Sequence, residues 1–466
     1  MKLIKALSIL SVLLMFSGCS DDDTNTTNND GQSNPSGTNN TNNSSTIITA
    51  GTHLKVTSFI NQQYSGNIES VRPVEGRDLP SAVAVSSKSK TLHYLENNGT
   101  KLENYYLDYT GNADAADDEY TNSAVFDADH TLITHTILVR DGSDKLSDCR
   151  GELLIVNHNK TNNGGDSSVT KIEVGSMPDS VAITPDKKYA ITADEHDSED
   201  AWGKCTIGTI DPTISIIQLT DDSNQLLAEP QLVKRIKFSR GKLGPREPEY
   251  IAVASDSDTV AVTLQDSHEV AVFSLKSVLA QTDDILPETA VTITELAKSD
   301  AGTNAWPDGI IAFDVNNAHY FAIAGESNDT ITIVNVEGAA VSNPRITERE
   351  VPTSYPCLEA DWFPNVKYSP DSITSFEIAG RIYVAATLRY AGAVIVYDVT
   401  NPAAPAFEFV MHAGQNDIVG NGVCSEEDTS TVYPEGISSG KFGDAVYLWV
   451  ANEGDNSVSS IKIEAK

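Results

Sequence analysis

Five acidic residues stand in the same four-residue phrase and have the chemistry to bind a cation together. The phrase is Pro-acid-x-Ile/Val, and its acids are Asp179, Glu249, Asp308, Asp371 and Glu435. Carboxylates crowded in a concave site repel one another, and Ca²⁺ bound by oxygen ligands would relieve that repulsion. The alternative is structural, because such a carboxylate can accept backbone N–H bonds in the turn that starts a strand. Recurrence in five copies favours the structural role.

The phrase opens an internal repeat. Its prolines lie 70, 59, 63 and 64 residues apart, and each phrase is followed by an apolar strand, a polar turn and an alternating strand. Alternation with period two and β-branched residues predicts antiparallel meanders. Two degenerate copies precede the five, one opened by Pro80-Ser81-Ala82-Val83 and the other by Ala124–Phe126. Seven such units predict an all-β fold, a single seven-bladed β-propeller of four-stranded antiparallel blades.

The two chain ends are expected to close this ring. Nothing after Lys466 can supply the outer strand of the last blade, and Leu54–Ile60 is a suitable strand. The other outer strands are predicted with weaker patterns, at Gln231–Phe238, Ala290–Glu295 and Arg345–Val351. The predicted domain organisation is a signal peptide over 1–18, a lipidated Cys with a disordered polar tether over 19–50, and the propeller over 51–466.

A second set of side chains is expected at the channel mouth, at or just past the end of each second strand. On the loop-bearing face of a propeller these residues converge with the acids of the phrase. The set is Glu96, Arg140, Glu195, Asp266, Glu326, Arg389 and Glu453. Within it, Glu195, Asp266, Glu326 and Glu453 are the predicted metal ligands, with Ca²⁺ as the expected ion. No catalytic residue is predicted.

The first twenty residues predict export. Lys2 and Lys5 precede an apolar run from Ala6 to Phe16, which is too short for a permanent membrane span. Ser17-Gly18-Cys19 resembles the lipobox of bacterial lipoproteins, and the resemblance implies cleavage before Cys19 and lipid on its sulfur. The acidic cluster Asp21-Asp22-Asp23 resembles the surface-export signal of Bacteroidetes lipoproteins. The expected location is the outer membrane, on the cell surface or on the periplasmic face.

Charge and composition limit the classes of molecule that the protein can bind. The chain has 466 residues, with 66 Asp+Glu against 32 Lys+Arg and a net charge of −34. Nucleic acid needs a cationic surface, so it is excluded as a partner. Residues 24–48 are almost all Asn, Thr, Ser, Gly and Asp and predict a disordered tether. The expected partners are the membrane, through the Cys19 lipid, and a protein, glycan or small-molecule ligand.

Four cysteines remain when Cys19 carries lipid. They form an even set in an oxidising compartment, which predicts two disulfides, and four cysteines allow three pairings. The propeller arrangement brings loops of neighbouring blades to one face. The predicted pairs are Cys149–Cys205 and Cys357–Cys424.

The repeat resembles two groups of known propellers. Pro434-Glu435-Gly436-Ile437 followed by Tyr447–Val458 is similar to YVTN-type propellers. Gly244–Glu249 and Ala393–Pro402 resemble, more narrowly, the choice-of-anchor I group of secreted or anchored bacterial proteins. The resemblance implies the fold and a secreted or anchored location. The tether, the absence of a nucleophile motif such as Gly-x-Ser-x-Gly and a fold that often serves as a platform favour a surface binding or interaction module over an enzyme. The alternative is a calcium-dependent propeller hydrolase, similar to lactonases or phosphoesterases, that uses a channel metal.

Overall fold

A computed structural model of the chain is a seven-bladed β-propeller. It describes residues 47–49, 51–64, 66–87, 91–108, 119–137, 139–140, 146–157, 169–196, 211–298, 302–352, 366–414 and 432–466. These residues all belong to one unit spanning Gly37–Lys466. The predicted all-β class and the blade number are confirmed.

Each of the first three blades is an antiparallel meander whose strands run from the channel outward. The strands of the first blade are Ile68–Pro73, Ser81–Ser86, Thr91–Asn97 and Leu102–Asp108. Those of the second are Ser123–Val125, His130–Thr136, Gly151–Asn157 and Val169–Val174. Those of the third are Pro178–Ile183, Tyr189–Asp194, Thr213–Thr220 and Leu226–Lys237, with Ile285–Pro287 added in parallel at the outer edge.

The remaining four blades follow the same pattern. The fourth comprises Pro248–Val253, Thr259–Leu264, Glu269–Ser274 and Thr292–Glu295, and the fifth Pro307–Val315, Ala318–Gly325, Thr330–Asn335 and Ala340–Ser342. The sixth comprises Pro370–Ile378, Arg381–Leu388, Ala393–Asp398 and Ala406–His412, with Ile47–Thr49 at its outer edge. The seventh comprises Pro434–Phe442, Ala445–Asn452, Ser457–Ala465 and Leu54–Gln63.

Helical and isolated elements are short. One α-helix covers Leu275–Leu279, and 3₁₀ turns cover Glu288–Ala290 and Glu326–Asn328. A two-stranded ribbon pairs Val139–Arg140 with Leu146–Asp148. Among the described residues, no helix has the length and apolar character needed to cross a membrane.

The ring closes as the sequence predicts, with a strand from near the start of the chain completing the last blade. Leu54–Gln63 pairs antiparallel with Ser457–Ala465 over almost its whole length, from Leu54 opposite Ala465 to Gln63 opposite Ser457. The predicted strand Leu54–Ile60 is confirmed and extends three residues further. The last blade therefore has four strands like the others and joins the two ends of the chain.

The hydrophobic core lies between neighbouring blades. In the seam between the fifth and sixth blades, Ile333 and Phe313 pack with Val384 and Ile395. Each seam has a similar apolar layer, because strands that alternate in period two present one apolar face to each neighbour. The innermost strands therefore have fixed positions around the channel.

Two strand predictions were wrong. Ser81–Ser86 is the second strand of the first blade, and the innermost strand is Ile68–Pro73. The phrase at Pro80 therefore matches the repeat one strand too late. Arg345–Val351 is not a strand: the outer strand of the fifth blade is Ala340–Ser342, and Arg345 forms only an isolated bridge to Thr330.

Candidate functional site

The start of every innermost strand is held by the same backbone hydrogen bond. The N–H of the residue that closes the second strand donates to a carbonyl just before the innermost strand, at 2.8–3.1 Å in all seven blades. The donors are Ser87, Thr136, Glu195, Gln265, Glu326, Arg389 and Glu453, and we call these positions the donor ring. Because the bond recurs, it identifies structurally equivalent positions without reference to the sequence phrase.

The acids of the phrase occupy one equivalent position in this frame. Each lies two residues after the accepting carbonyl, and the same position in the first two blades holds Glu69 and Thr121. We call the six carboxylates the acid ring: Glu69, Asp179, Glu249, Asp308, Asp371 and Glu435. Glu69 lacks the preceding proline, so the phrase missed it, although Glu69-Ser70-Val71 keeps the acid-x-Val spacing.

The acid ring surrounds a cavity at the mouth of the channel. Its volume is about 240 Å³, and its lining includes five ring carboxylates, Thr121, Tyr250, Arg389 and Glu453. Burial, reinforced by neighbouring carboxylates, raises the pKa of Glu69, Glu249, Asp308 and Asp371 well above the usual range. Burial also raises the pKa of Asp179 to about 6. Burial and crowding therefore favour the protonated form of these carboxyl groups unless another cation takes the place of the proton.

Arg389 offsets part of the negative charge on one side of the mouth. Its Nη1 lies 2.8 Å from Glu326 Oε1 and 3.2 Å from Asp371 Oδ2, and its Nη2 lies 2.7 Å from Glu435 Oε1. The guanidinium also stacks 4.7 Å above the centroid of the Tyr433 ring. These carboxylates raise the pKa of Arg389 against the opposing effect of burial, so the cation is permanent.

The opposite side of the mouth holds a group of three carboxylates from the third and fourth blades. Asp179, Glu195 and Glu249 each place one oxygen within 4.8 Å of the other two. The carboxyl groups of Asp179 and Glu249 are also hydrogen-bonded to each other, which requires a shared proton when no cation is present. Two oxygens on one Ca²⁺ are at most about 5 Å apart, so this spacing suits a single ion.

The structure separates the four residues predicted as metal ligands. Glu195 lies in the group of three carboxylates, whereas Glu326 pairs with Arg389. Glu453 accepts a hydrogen bond from Asn67 Nδ2 at 3.1 Å. In the fourth blade Gln265 occupies the donor ring, and Asp266 follows it in the turn. Of the four predicted ligands, only Glu195 belongs to the group of three carboxylates.

The other predicted site residues are placed as follows. Arg389 lines the cavity at the mouth. Glu96 lies near the end of the third strand of the first blade, opposite Ser81, and its place in the donor ring is taken by Ser87. Arg140 lies in the ribbon, four residues beyond the donor Thr136. The strand misassignment in the first blade explains the position of Glu96.

The cysteine predictions fall almost entirely outside the described residues. Cys149 is buried, and Ser176 Oγ donates to its carbonyl oxygen at 2.6 Å. Cys205, Cys357 and Cys424 lie outside the described residues, as does Cys19. The disulfide pairs and the lipidation site stay predictions.

Fold and site together define a seven-bladed propeller with an acidic channel mouth. The sequence profile of the Choice-of-anchor I domain matches residues 40–336, more than half of the chain. The chain therefore belongs to the choice-of-anchor I family. No curated protein matches it.

Solved structures with a similar fold include proteins of different kinds from different organisms. One is hydrazine synthase of Kuenenia stuttgartiensis, with 10% identity, a TM-score of 0.49, and coverage of 86% of this chain and 97% of that one. Another is Polycomb Repressive Complex 2 of Chaetomium thermophilum bound to GSK126. It has 12% sequence identity and a TM-score of 0.48, and the match covers 88% of this chain and 98% of that one. A third is a candidate 6-phosphogluconolactonase of Bacteroides fragilis. It has 10% sequence identity and a TM-score of 0.44, and the match covers 84% of this chain and 90% of that one.

Proposed function

We propose that the protein is a surface-facing binding module whose ligand site is the acidic channel mouth and which holds Ca²⁺ there. The observation that carries the proposal is the group of carboxylates of Asp179, Glu195 and Glu249, with oxygens within 4.8 Å of one another. A bound Ca²⁺ leaves coordination positions open toward the cavity, where a ligand oxygen can complete the shell.

The two sides of the mouth differ in the charge available to offset their carboxylates. Arg389 contacts Glu326, Asp371 and Glu435 on one side. In the described part of the chain, no Lys or Arg nitrogen lies within ion-pair distance of Asp179 or Glu249. A divalent cation bound there would bring positive charge to Asp179 and Glu249, as Arg389 does for the carboxylates opposite.

Calorimetry with CaCl₂ on EDTA-treated protein at pH 7.5 tests the site. We expect saturable binding by the wild type and a loss of about tenfold or more in affinity for Glu195→Gln, because one of three charged ligands is removed. Glu326→Gln is the matched control, since Arg389 already compensates Glu326, and it should bind like the wild type. Absence of binding at millimolar Ca²⁺, or equal losses in both variants, would overturn the site.

The lipoprotein assignment is part of the proposal. It is supported by the Ser17-Gly18-Cys19 sequence, the acidic cluster after it and membership of a family of anchored proteins. Expression of the full chain in a Gram-negative host with labelled palmitate should label the wild type and not Cys19→Ser. Protease treatment of intact cells then distinguishes display on the cell surface from the periplasmic face of the outer membrane. Unlabelled wild-type protein in the culture medium would contradict lipidation.

A calcium-dependent hydrolase stays the alternative. The observation in its favour is the cavity of about 240 Å³ beside the three carboxylates, which has room for a small lactone or phosphoester next to a bound ion. A metal there would polarise the substrate carbonyl or phosphoryl oxygen. Hydrolysis of such substrates that requires Ca²⁺ and is lost in Glu195→Gln would establish this activity. If the protein binds Ca²⁺ but hydrolyses none of these substrates, the result supports the binding module and not the hydrolase.

A further inference from the structure

The channel contains a second cavity with a different character. Its volume is about 390 Å³, and Tyr250 lines both this cavity and the acidic mouth. The lining consists mainly of aliphatic side chains and hydroxyls from the innermost strands, such as Ile251, Ile373 and Ser438. Arg72 is the one residue with a formal charge in this lining.

Within the described residues, Arg72 donates its hydrogen bonds to neutral oxygens only. Its Nε donates to Ser123 O at 2.9 Å, its Nη2 to Asn122 Oδ1 at 2.9 Å and its Nη1 to Val71 O at 3.2 Å. A guanidinium has five N–H donors, so two remain beyond these three bonds. No carboxylate lies within ion-pair distance of Arg72 in the described part of the chain, whereas Arg389 contacts three in the mouth.

The lack of a counter-charge has an energetic consequence. Burial lowers the pKa of Arg72, and the nearby Tyr250 only partly opposes that effect. A partly buried cation without an anion is costly, and the protein keeps it here although acids outnumber bases two to one. Its equivalents three residues after the acid position in other blades are small or aliphatic, for example Ala182 and Ile311. Packing therefore does not demand an arginine at this position.

We propose that Arg72 anchors a binding site for a small aliphatic carboxylate in the channel. The two remaining N–H groups match the paired oxygens of a carboxylate. The aliphatic lining suits a short hydrocarbon group. One guanidinium balances one negative charge, which favours a carboxylate over a doubly charged phosphate in an acidic protein. The site goes beyond the proposed Ca²⁺ site and does not require it.

Butyrate and its neutral isostere butyramide test the proposal on the full chain in EDTA. In saturation-transfer NMR titrations at pH 7.5, we expect wild-type protein to bind butyrate about tenfold or more tightly than butyramide, because only butyrate pairs with the guanidinium. Arg72→Met should remove that preference. Arg77→Met is the control, because Arg77 is exposed, pairs with Asp129 and belongs to the same blade.

Three results would overturn the site: no saturable butyrate binding by the wild type, equal affinity for butyrate and butyramide, or an equal loss in Arg77→Met. The comparison of the two ligands on wild-type protein stays decisive if Arg72→Met does not fold. The carboxylate site and the proposed Ca²⁺ site can fail separately. Because butyrate is titrated in EDTA, a protein that does not bind Ca²⁺ should still bind butyrate.

Discussion

Arg389 is the residue on which the stability of the mouth depends most. Its guanidinium faces the carboxylates of Glu326, Asp371 and Glu435, all buried or nearly so. Arg389→Met should lower the free energy of unfolding by about 3–5 kcal/mol at pH 8, because the acids lose their counter-charge. The loss should shrink as pH falls and the carboxylates protonate.

Chemical denaturation across this pH range measures the effect. Arg349→Met is the control: its side chain is 86% exposed beside Glu350, and its removal should change stability by less than about 0.5 kcal/mol. A loss for Arg389→Met that is the same at pH 5 and pH 8 would contradict an electrostatic origin.

Asp179 gives the mouth an unusual pH dependence. Burial raises its pKa from an ordinary 3.8 to about 6. Between these values the folded protein holds a proton that the unfolded chain has released, so stability falls as pH rises from about 4 to about 6. Asp179→Asn mimics the protonated acid and should stabilise the protein by about 2 kcal/mol at pH 7.5 in EDTA, with no gain at pH 4.

Thermal unfolding of the wild type, Asp179→Asn and Asp78→Asn at both pH values checks this prediction. Asp78 is exposed, so Asp78→Asn should leave the melting temperature unchanged at either pH. Saturating Ca²⁺ should reverse the order at pH 7.5, because the ion stabilises only the protein that binds it. Destabilisation by Asp179→Asn in EDTA would show that the carboxylate has a structural partner.

At this scale the sequence predicts residue types better than residue pairings. The phrase identifies five members of the acid ring because proline fixes the start of the innermost strand next to the acid. It cannot identify Glu69, which has no proline, or Thr121. Pairings such as Arg389 with Glu435 cross between blades, and no local pattern encodes them. Arg72 lies three residues after the acid position, but no other blade has a charged residue there, so the repeat does not predict it.

At the scale of the strand, the residue after the acid position is Gly or Ser in five of the seven blades, and the next blade approaches it closely. A Cβ on Gly309 would lie 2.4 Å from Asp371 O, and one on Gly436 would lie 2.4 Å from Glu69 O. In the third blade Ser180 fills the position and donates its hydroxyl to Glu249 O. The innermost strands are therefore held in register by close backbone approach between blades.

Gly309→Ala should lower the free energy of unfolding by about 1–3 kcal/mol, because the new methyl group meets a backbone carbonyl that the seam holds in place. Ser180→Ala keeps the same Cβ and should cost only about 1 kcal/mol for its hydrogen bond. Urea unfolding of the two variants provides the measurement. If alanine is tolerated better at Gly309 than at Ser180, the blades are not in fixed contact there.

Strand predictions succeed where the pattern is long and fail at the edges. The second and third strands of the later blades are buried and apolar, so their periodicity is clear. In the first blade, Ser81–Ser86 follows a degenerate copy of the phrase yet is a second strand, and all six of its residues are buried. The outer strand Ala340–Ser342 has only three residues, too few for any periodic signal.

At the scale of the whole molecule, the ring has a single closing seam. In six blades the four strands of the meander come from one continuous stretch of the chain, and the meander of the seventh is completed by a strand from the opposite end. Phe59 and Leu54 of that strand are buried with Ile461 and Val446 in the core between the sixth and seventh blades. The acidic mouth and the Arg72 cavity both require all the innermost strands at once, so closure is a condition for either site.

Deleting Leu54–Gln63 should therefore affect both stability and binding. The deletion exposes the edge of Ser457–Ala465 and removes the apolar contacts of Phe59. An exposed strand edge can pair with the same strand of another molecule. We expect a lower melting temperature, dimers or larger species on size-exclusion chromatography, and loss of Ca²⁺ binding. Deletion of residues 24–40, in the predicted tether, is the control and should change none of these. A monomeric deletion variant with wild-type melting would show that the first six blades hold the ring without the closing strand.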